Sequence, residues 1–393
     1  RDLHSFPTRR SSDLVVADAA EEIMKFTCDQ QELTKALNVV SKAVSVRTTI
    51  PTLKGILINV TADGKLIMTA SDMDITIENT LDASDTEAGI VVVQAKLFGD
   101  IVRKLPSGNI IFECEGENIT IKCLNSEFTL IGMPADEFPN IKNTDEYATE
   151  LIFDKDIFTI MIKKTAFAAS IDQSKGVITG ILTDITRDEI KMVAIDGFRM
   201  AIAKEKLKSD EEKTVIISAR IMNEIVKIVT EANAEGDIRM MVDGKSAVVF
   251  VGSTKIIMRL IAGEFIRYDD ILPKTAAVNV KVKRTDLAES VERASLLAKE
   301  GKNNLIKFSI KDNIINITSR SEEGNVKEEI LAEKTGDDLD IGFNAKYILD
   351  ILRVIDDEEI IMKFNTGISP CLIVPEKGDA YEYLILPVRI TNM

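Results

Sequence analysis

The chain has 393 residues, 45% hydrophobic and 29% charged, and its 49 Lys/Arg against 64 Asp/Glu leave a formal net charge of −15. This composition suits a globular protein of two or three domains, and no apolar run approaches the ~20 residues of a membrane span, so no membrane partner is expected. An acidic surplus of this size repels bare nucleic acid on average but leaves room for a local basic surface.

In chain order, residues 1–23 begin RDLHSFPTRRSSDL, an Arg/Ser-rich stretch that holds the only histidine, His4, and lacks an apolar segment; they are expected to be a non-native leader. A first helix is predicted in DQQELTKALNVVSKAV, where Asp29 and Glu32 stand at capping-box spacing and Leu33, Ala36, Leu37, Val40 and Val44 share one face. GILINVTADGKLIMTAS alternates as strands do, with Asp63-Gly64 where a hairpin turn belongs. VVVQAKLFGDIVRKL (91–105) passes from β-type residues into a second helix, with Leu97, Phe98, Ile101, Val102 and Leu105 on its apolar side.

The same plan returns twice. DIFTIMIKKTAFAA (156–169) and TDLAESVERASLLA (285–298) stand in place of the first helix. GILTDITRDEIKMVAI and IKFSIKDNIINITSR, the latter with Asp312-Asn313 at a turn, stand in place of the strands. VIISARIMNEIVKIV (215–229) and DIGFNAKYILDILRVI (340–355) repeat the second helix. Ala95-Lys96, Ala219-Arg220 and Ala345-Lys346 open the three copies at nearly equal intervals, each followed by an acid (Asp100, Glu224, Asp350) and a further base (Arg103, Lys227, Arg353). Such agreement marks a triplicated domain. The predicted fold class is α+β: three tandem similar domains, each with two helices packed on antiparallel sheets. The expected boundaries are 24–145, 146–273 and 274–393, within the linkers FPNIKNTDEYATE (138–150) and FIRYDDILPKT (265–275).

Little in the chain suggests catalysis. Cys28, Cys114, Cys123 and Cys371 lie far apart without a C-x-x-C pair and read as reduced, buried thiols of a cytosolic protein. Beyond His4 there is no histidine, and no P-loop, G-x-G-x-x-G or G-x-S-x-G motif occurs. Asp72/Asp74, Asp269/Asp270 and Asp356–Glu359 read as solvated turns and faces rather than as a metal or acid–base site. No catalytic residue, metal site or cofactor is expected. The repeated basic residues admit two readings: intrahelical ion-pair ladders, or parallel stripes suited to phosphate backbones without base readout.

MKFTCDQQELTKAL, ASDMDITIE, PADEFPN, VAIDGFRMA (193–201), GFNAKYILDIL and YLILPVRI occur in this order from Met24 to Ile390. The series resembles the bacterial DNA polymerase III β subunit family, the sliding clamps. The resemblance implies the DNA clamp fold, and a non-catalytic, cytoplasmic processivity factor that closes as a head-to-tail homodimer ring around double-stranded DNA. Any nucleotidyl transfer belongs to the polymerase that it tethers. Implied partners are the polymerase alpha subunit, the clamp loader and other proteins carrying clamp-binding peptides. A peptide cleft is implied at Ile178, Ile195, Gly197, Phe198, Arg199, Met200, Ile271, Leu384, Leu386, Pro387, Val388 and Arg389, with the stem of Arg199 as wall and its head in water. DNA contact is implied for Arg47, Lys96, Arg103, Lys175, Arg220, Arg293 and Lys346, and the dimer joint for Phe128 and Leu130 opposite Leu296 and Leu297. The acids of SEEGNVKEE (321–329) would either complement a basic first domain across that joint or form a solvated loop. Phe198 stands where relatives often have histidine, Ile266, Asp269 and Asp270 depart from the family pattern, and Thr391–Met393 follow its usual end. The repeat by itself would also permit a scaffolding protein without DNA contact; the basic helix stripes and the motif series favour the clamp.

Overall fold

The computed structural model describes residues 23–141, 149–231 and 236–390. Most of the expected leader, the middle of the first linker and Thr391–Met393 lie outside the described residues. Six α-helices occur among the described residues: α1 (Gln30–Val40), α2 (Ala95–Lys104), α3 (Lys155–Thr165), α4 (Ala219–Glu231), α5 (Arg284–Ala298) and α6 (Ala345–Leu352). They pack in consecutive pairs, α1 on α2, α3 on α4 and α5 on α6. Their starts are set locally. The Asp29 carboxylate accepts from the backbone amides of Gln31 and Glu32 at 2.8 and 3.1 Å, Asp154 does the same for Asp156 and Ile157, and the Gln94 side chain accepts from Leu97. Each such cap satisfies amides that the first helical turn cannot pair. Glu32 does not complete the predicted capping box by a described contact; its carboxylate meets Lys35 at 2.7 Å instead.

The chain divides into two compact units, the first reaching Pro139 without residues 70–79, the second comprising 70–79 and everything from Asn140. In the first unit an antiparallel sheet runs in the order Ser84–Glu87, Ile23–Asp29, Asn109–Glu115, Asn118–Cys123, Ser126–Ile131. Its core is aromatic: Phe26 stacks on Phe112 with ring centroids 4.7 Å apart, and Phe98 of α2 meets Phe112 edge-on at 6.0 Å. Gly55–Val60 pairs with Gly89–Gln94 and with Lys65–Thr69, and Asp63-Gly64 forms the predicted hairpin turn, Gly64 adopting φ +80°.

In the second unit Ile75–Asn79 adds to Thr254–Arg259, and a twelve-stranded antiparallel sheet spans the second and third repeats. Within it Arg199–Lys206 lies beside Tyr381–Ile385, in register from Arg199↔Ile385 to Ala203↔Tyr381. The last strand of the third repeat thus completes the sheet of the second. Asp312 takes φ +52° at the predicted turn between Leu305–Lys311 and Ile314–Ser321.

Four expectations change. Leu97, predicted on the apolar side of α2, is 49% exposed, while Phe98, Ile101 and Val102 are buried. Residues 321–329 form no loop: Glu322 and Glu323 make the turn of a hairpin in which Gly324–Leu331 pairs back along Ile314–Ser321. The segment 265–275 is not a loose linker, because Phe265, Tyr268 and Leu272 pack on a core cluster. Asp72 and Asp74 are not merely solvated, since Arg220 Nη1 lies 2.9 Å from Asp72 and Nη2 3.9 Å from Asp74. The four cysteines are buried, and desolvation pushes the Cys28 thiol up to about 12.

Candidate functional site

VAIDGFRMA folds as strand, tight turn and strand: Glu189–Ile195, then Arg199–Lys206. One carboxylate oxygen of Asp196 accepts from the backbone amides of Phe198 and Arg199 at 2.8 and 3.0 Å, an Asx-type turn. Gly197 sits at φ +95° with nothing within 4 Å of where a Cβ would be, so its role is conformational. The alternation of the flanking strand sends Met200 and Ile202 inward, into a buried cluster with Leu182, Val193, Ile195, Ile216, Tyr268, Leu372 and Leu384.

Arg199 departs from its expected wet head. It is 7% exposed, and its guanidinium donates in three directions: Nε to Asp196 at 2.9 Å, Nη1 to Asp350 of α6 at 2.6 Å, and Nη2 to the Phe167 carbonyl at 2.7 Å. Its faces lie over Tyr347 at 4.5 Å and Phe167 at 5.2 Å. The arginine therefore acts as a rivet between the turn of the second repeat and a helix of the third, with its charge matched by two carboxylates. Tyr347 stacks on Phe198 with centroids 6.2 Å apart; burial, and then Asp196, hold its hydroxyl above the ordinary tyrosine value despite the opposing Arg199. Burial, and then Asp269, push Tyr268 up to about 12, so it stays a neutral part of the wall.

The chain end completes the site. Leu386 donates its amide to the Phe198 carbonyl at 2.9 Å, and Val388 donates to the Gly342 carbonyl at 2.8 Å. A Cβ at Gly342 would meet the Val388 carbonyl at 2.6 Å, so glycine is what lets the segment cross. Phe198, Ile271 and Leu386 are 55%, 43% and 37% exposed, each within two residues in sequence of one that belongs to the buried cluster or packs on it, and Arg389 is exposed. Ile178, Pro387 and Val388 are half-buried, while Ile195, Met200 and Leu384 are floor rather than surface. Sequence reasoning missed Phe167, Asp350 and Tyr347 around Arg199, and Leu182, Ile216, Tyr268, Leu272 and Leu372 in the floor. Only alternation in apolar strands marked Leu182, Ile216 and Leu372, and that signal does not separate a floor from any other core; Tyr268 and Leu272 lie outside strands and carried no such signal.

The seven DNA-contact candidates all carry exposed side chains. Arg103 pairs with Asp100 at 2.6 Å, Arg220 with Asp72, Arg293 with Glu328 at 2.6 Å, and Lys346 with Asp350 at 3.3 Å. Two of these pairs, Arg103–Asp100 and Lys346–Asp350, lie within one helix as the ladder reading expects, while Arg220 and Arg293 pair with acids on other elements. Of the joint candidates, Phe128 is 40% exposed on Ser126–Ile131, the outer strand of its sheet, and Leu296 is 64% exposed on α5; Leu130 and Leu297 are half-buried.

Comparison with known proteins covers all three repeats. The family models for the N-terminal, central and C-terminal domains of the DNA polymerase III beta subunit match residues 24–142, 153–266 and 269–389. The Beta sliding clamp of Bacillus subtilis (strain 168) is 34% identical over 381 residues, covering 93% of this chain and all of the relative. A putative DNA polymerase III beta subunit from Eubacterium rectale superposes with a TM-score of 0.89 at 32% identity, covering 93% of this chain and all of that one. A Pseudomonas aeruginosa sliding clamp solved bound to griselimycin gives 0.87 at 26% identity, with 93% and 100% covered. With three repeats, six paired helices and antiparallel sheets in place, the chain belongs to the bacterial DNA polymerase III beta subunit family, the sliding clamps, which are non-catalytic processivity factors of the replicative polymerase.

Proposed function

We propose that two copies of this chain close head to tail into a ring around double-stranded DNA in the cytoplasm, and that the surface around Phe198 tethers the polymerase alpha subunit, the clamp loader and other proteins through linear peptides. A closed ring leaves DNA only at an end, so weak sequence-independent attraction from Arg47, Lys96, Arg103, Lys175, Arg220, Arg293 and Lys346 suffices for sliding. Tethering keeps the polymerase at high effective concentration at the primer end.

The observation that carries the peptide reading is the exposed apolar pair Phe198 and Leu386, joined by a backbone hydrogen bond of 2.9 Å, beside strands whose Met200 and Leu384 belong to the buried cluster. Apolar anchors of a partner would fill it as side chains fill a groove. The other members of the site are Ile178, Ile195, Gly197, Arg199, Met200, Ile271, Leu384, Pro387, Val388 and Arg389. The ring reading is supported by two open strand edges, Ser126–Ile131 and the 324–331 half of Gly324–Thr335, which pairs with Val278–Lys283 only from Ala332 onward. Open edges invite strand pairing, with Phe128 and Leu130 of one copy facing Leu296 and Leu297 of the other.

The decisive experiment loads the protein onto nicked circular DNA and then linearises it. Retention on circles and run-off from linear molecules is expected; equal retention on both would refute the topological mechanism.

A further inference from the structure

Residues directly paired across antiparallel strands stand on the same face of a sheet. The register of the twelve-stranded sheet therefore lays out one row on one face: Ile195, Met200, Leu384, Leu372, Lys363 and Asn279, each on the strand beside the last. The first four belong to the buried cluster under Phe198 and its neighbours. Lys363 and Asn279 are polar and half-buried. Past Leu372 the row thus changes from apolar floor to hydrogen-bonding side chains.

The change falls at a cavity of about 250 Å³, lined by Leu372, Lys363 and Asn279 and by Pro273 and Lys274, which directly follow the cluster-packed Leu272. Its wall is tied down: Asn365 donates to the Thr275 carbonyl at 3.0 Å and accepts from the Ala277 amide at 3.1 Å. The Asn365 amide is spent on that wall, whereas the side chains of Lys274, Lys363 and Asn279 have no partner among the described residues. Lys281, two residues beyond Asn279 on the same face, is by contrast held by Glu359 and Glu376 at 2.6 and 2.9 Å. No acid is among the residues that line the cavity. In a chain of net charge −15, two unclaimed ammonium groups at one cavity make a local attraction for an anion.

We propose that this cavity takes the carboxylate of an aspartate or glutamate carried by the peptide bound around Phe198, with Lys274 and Lys363 as its cations and the Asn279 amide as a further donor. The inference rests on the peptide reading above and deepens it by adding an acidic residue to the apolar anchors that select a partner. Continuity argues for an acid delivered by that peptide, because Leu372 is at once part of the floor and part of the cavity lining. Lys363 stands two strands from Leu384, about 10 Å at the ordinary strand spacing. An extended peptide spans that distance in about three residues.

The test compares, by calorimetry, three extended forms of a polymerase-derived peptide: glutamate three residues before its apolar anchors, glutamate three residues after them, and glutamine at both places. One of the two glutamate forms should bind about fivefold more tightly than the glutamine form, and the gain should fade as salt rises. Lys274→Gln combined with Lys363→Gln should erase that gain. Thermal unfolding of the double variant should stay near native, because neither lysine holds an ion pair among the described residues. Equal affinity of all three forms would overturn this subsite and leave the peptide reading standing. A gain that survives in the double variant would overturn the assignment to these two lysines. Failure of all three forms to bind would overturn both readings.

Discussion

At the scale of single residues, the side chain that most departs from expectation is Arg199. A buried guanidinium is tolerated because every direction it points in is answered: two carboxylates, one carbonyl and two aromatic faces. Removing it leaves Asp196 and Asp350 without their shared cation. Arg199→Ala should therefore cost about 3–5 kcal/mol, read as a lower urea midpoint. Arg199→Lys should recover little, since one ammonium cannot span the two acids and the carbonyl while stacking. The arginine was legible as a site residue but not as a rivet, because two of its partners lie 32 and 151 residues away.

At the scale of elements, the strand Tyr381–Ile385 decides what can be removed. It lies between Arg199–Lys206 and Cys371–Pro375, so cutting the chain before Leu384 breaks both pairings and should unfold the third repeat's side of the sheet. A chain ending at Ile385 keeps the ladder and loses only Leu386 onward. We expect it, like Phe198→Ala, to retain near-native thermal unfolding while binding a polymerase-derived peptide at least tenfold more weakly by calorimetry; unchanged affinity would remove Phe198 from the site. The hairpin Ile314–Leu331 has its own signature. Arg293 holds the Glu328 carboxyl of this hairpin below its ordinary value of 4.5, and outside it Lys307 with Ser309 holds Asp340 below the ordinary aspartate value. A depressed folded value stabilises fully above the unfolded one and is lost as pH falls through the folded one. Stability should thus decline below about pH 4.5, and Glu328→Gln should flatten that acid limb in circular-dichroism titrations.

At the scale of the whole molecule, the net charge of −15 and a DNA partner are reconciled only by where the charges lie. Bases recur on the exposed sides of α2, α4 and α6, and four of the seven candidates share their charge with a nearby acid. Attraction to the backbone should accordingly be weak, which a topologically held ring tolerates. Arg47, exposed and with no ion pair described for it, should count nearly in full: Arg47→Ala should lower the salt slope of DNA association by about 1, whereas Arg103→Ala, which also frees Asp100, should lower it less.

The sequence by itself determined the repeat, the six helices, the hairpin turns and the family. These rest on local periodicity, on caps such as Asp29, and on turn residues such as Asp63-Gly64, all of which act within a few positions of the chain. Tertiary structure alone decided which apolar residues at the site are floor and which are surface. Met200 and Phe198 are two residues apart and equally apolar in pattern, yet one is 2% and the other 55% exposed. It also decided that Arg199 is buried and that Leu97 is not. Burial depends on what a distant segment of the chain, or a second copy of it, lays over a side chain, and no local spacing encodes that cover.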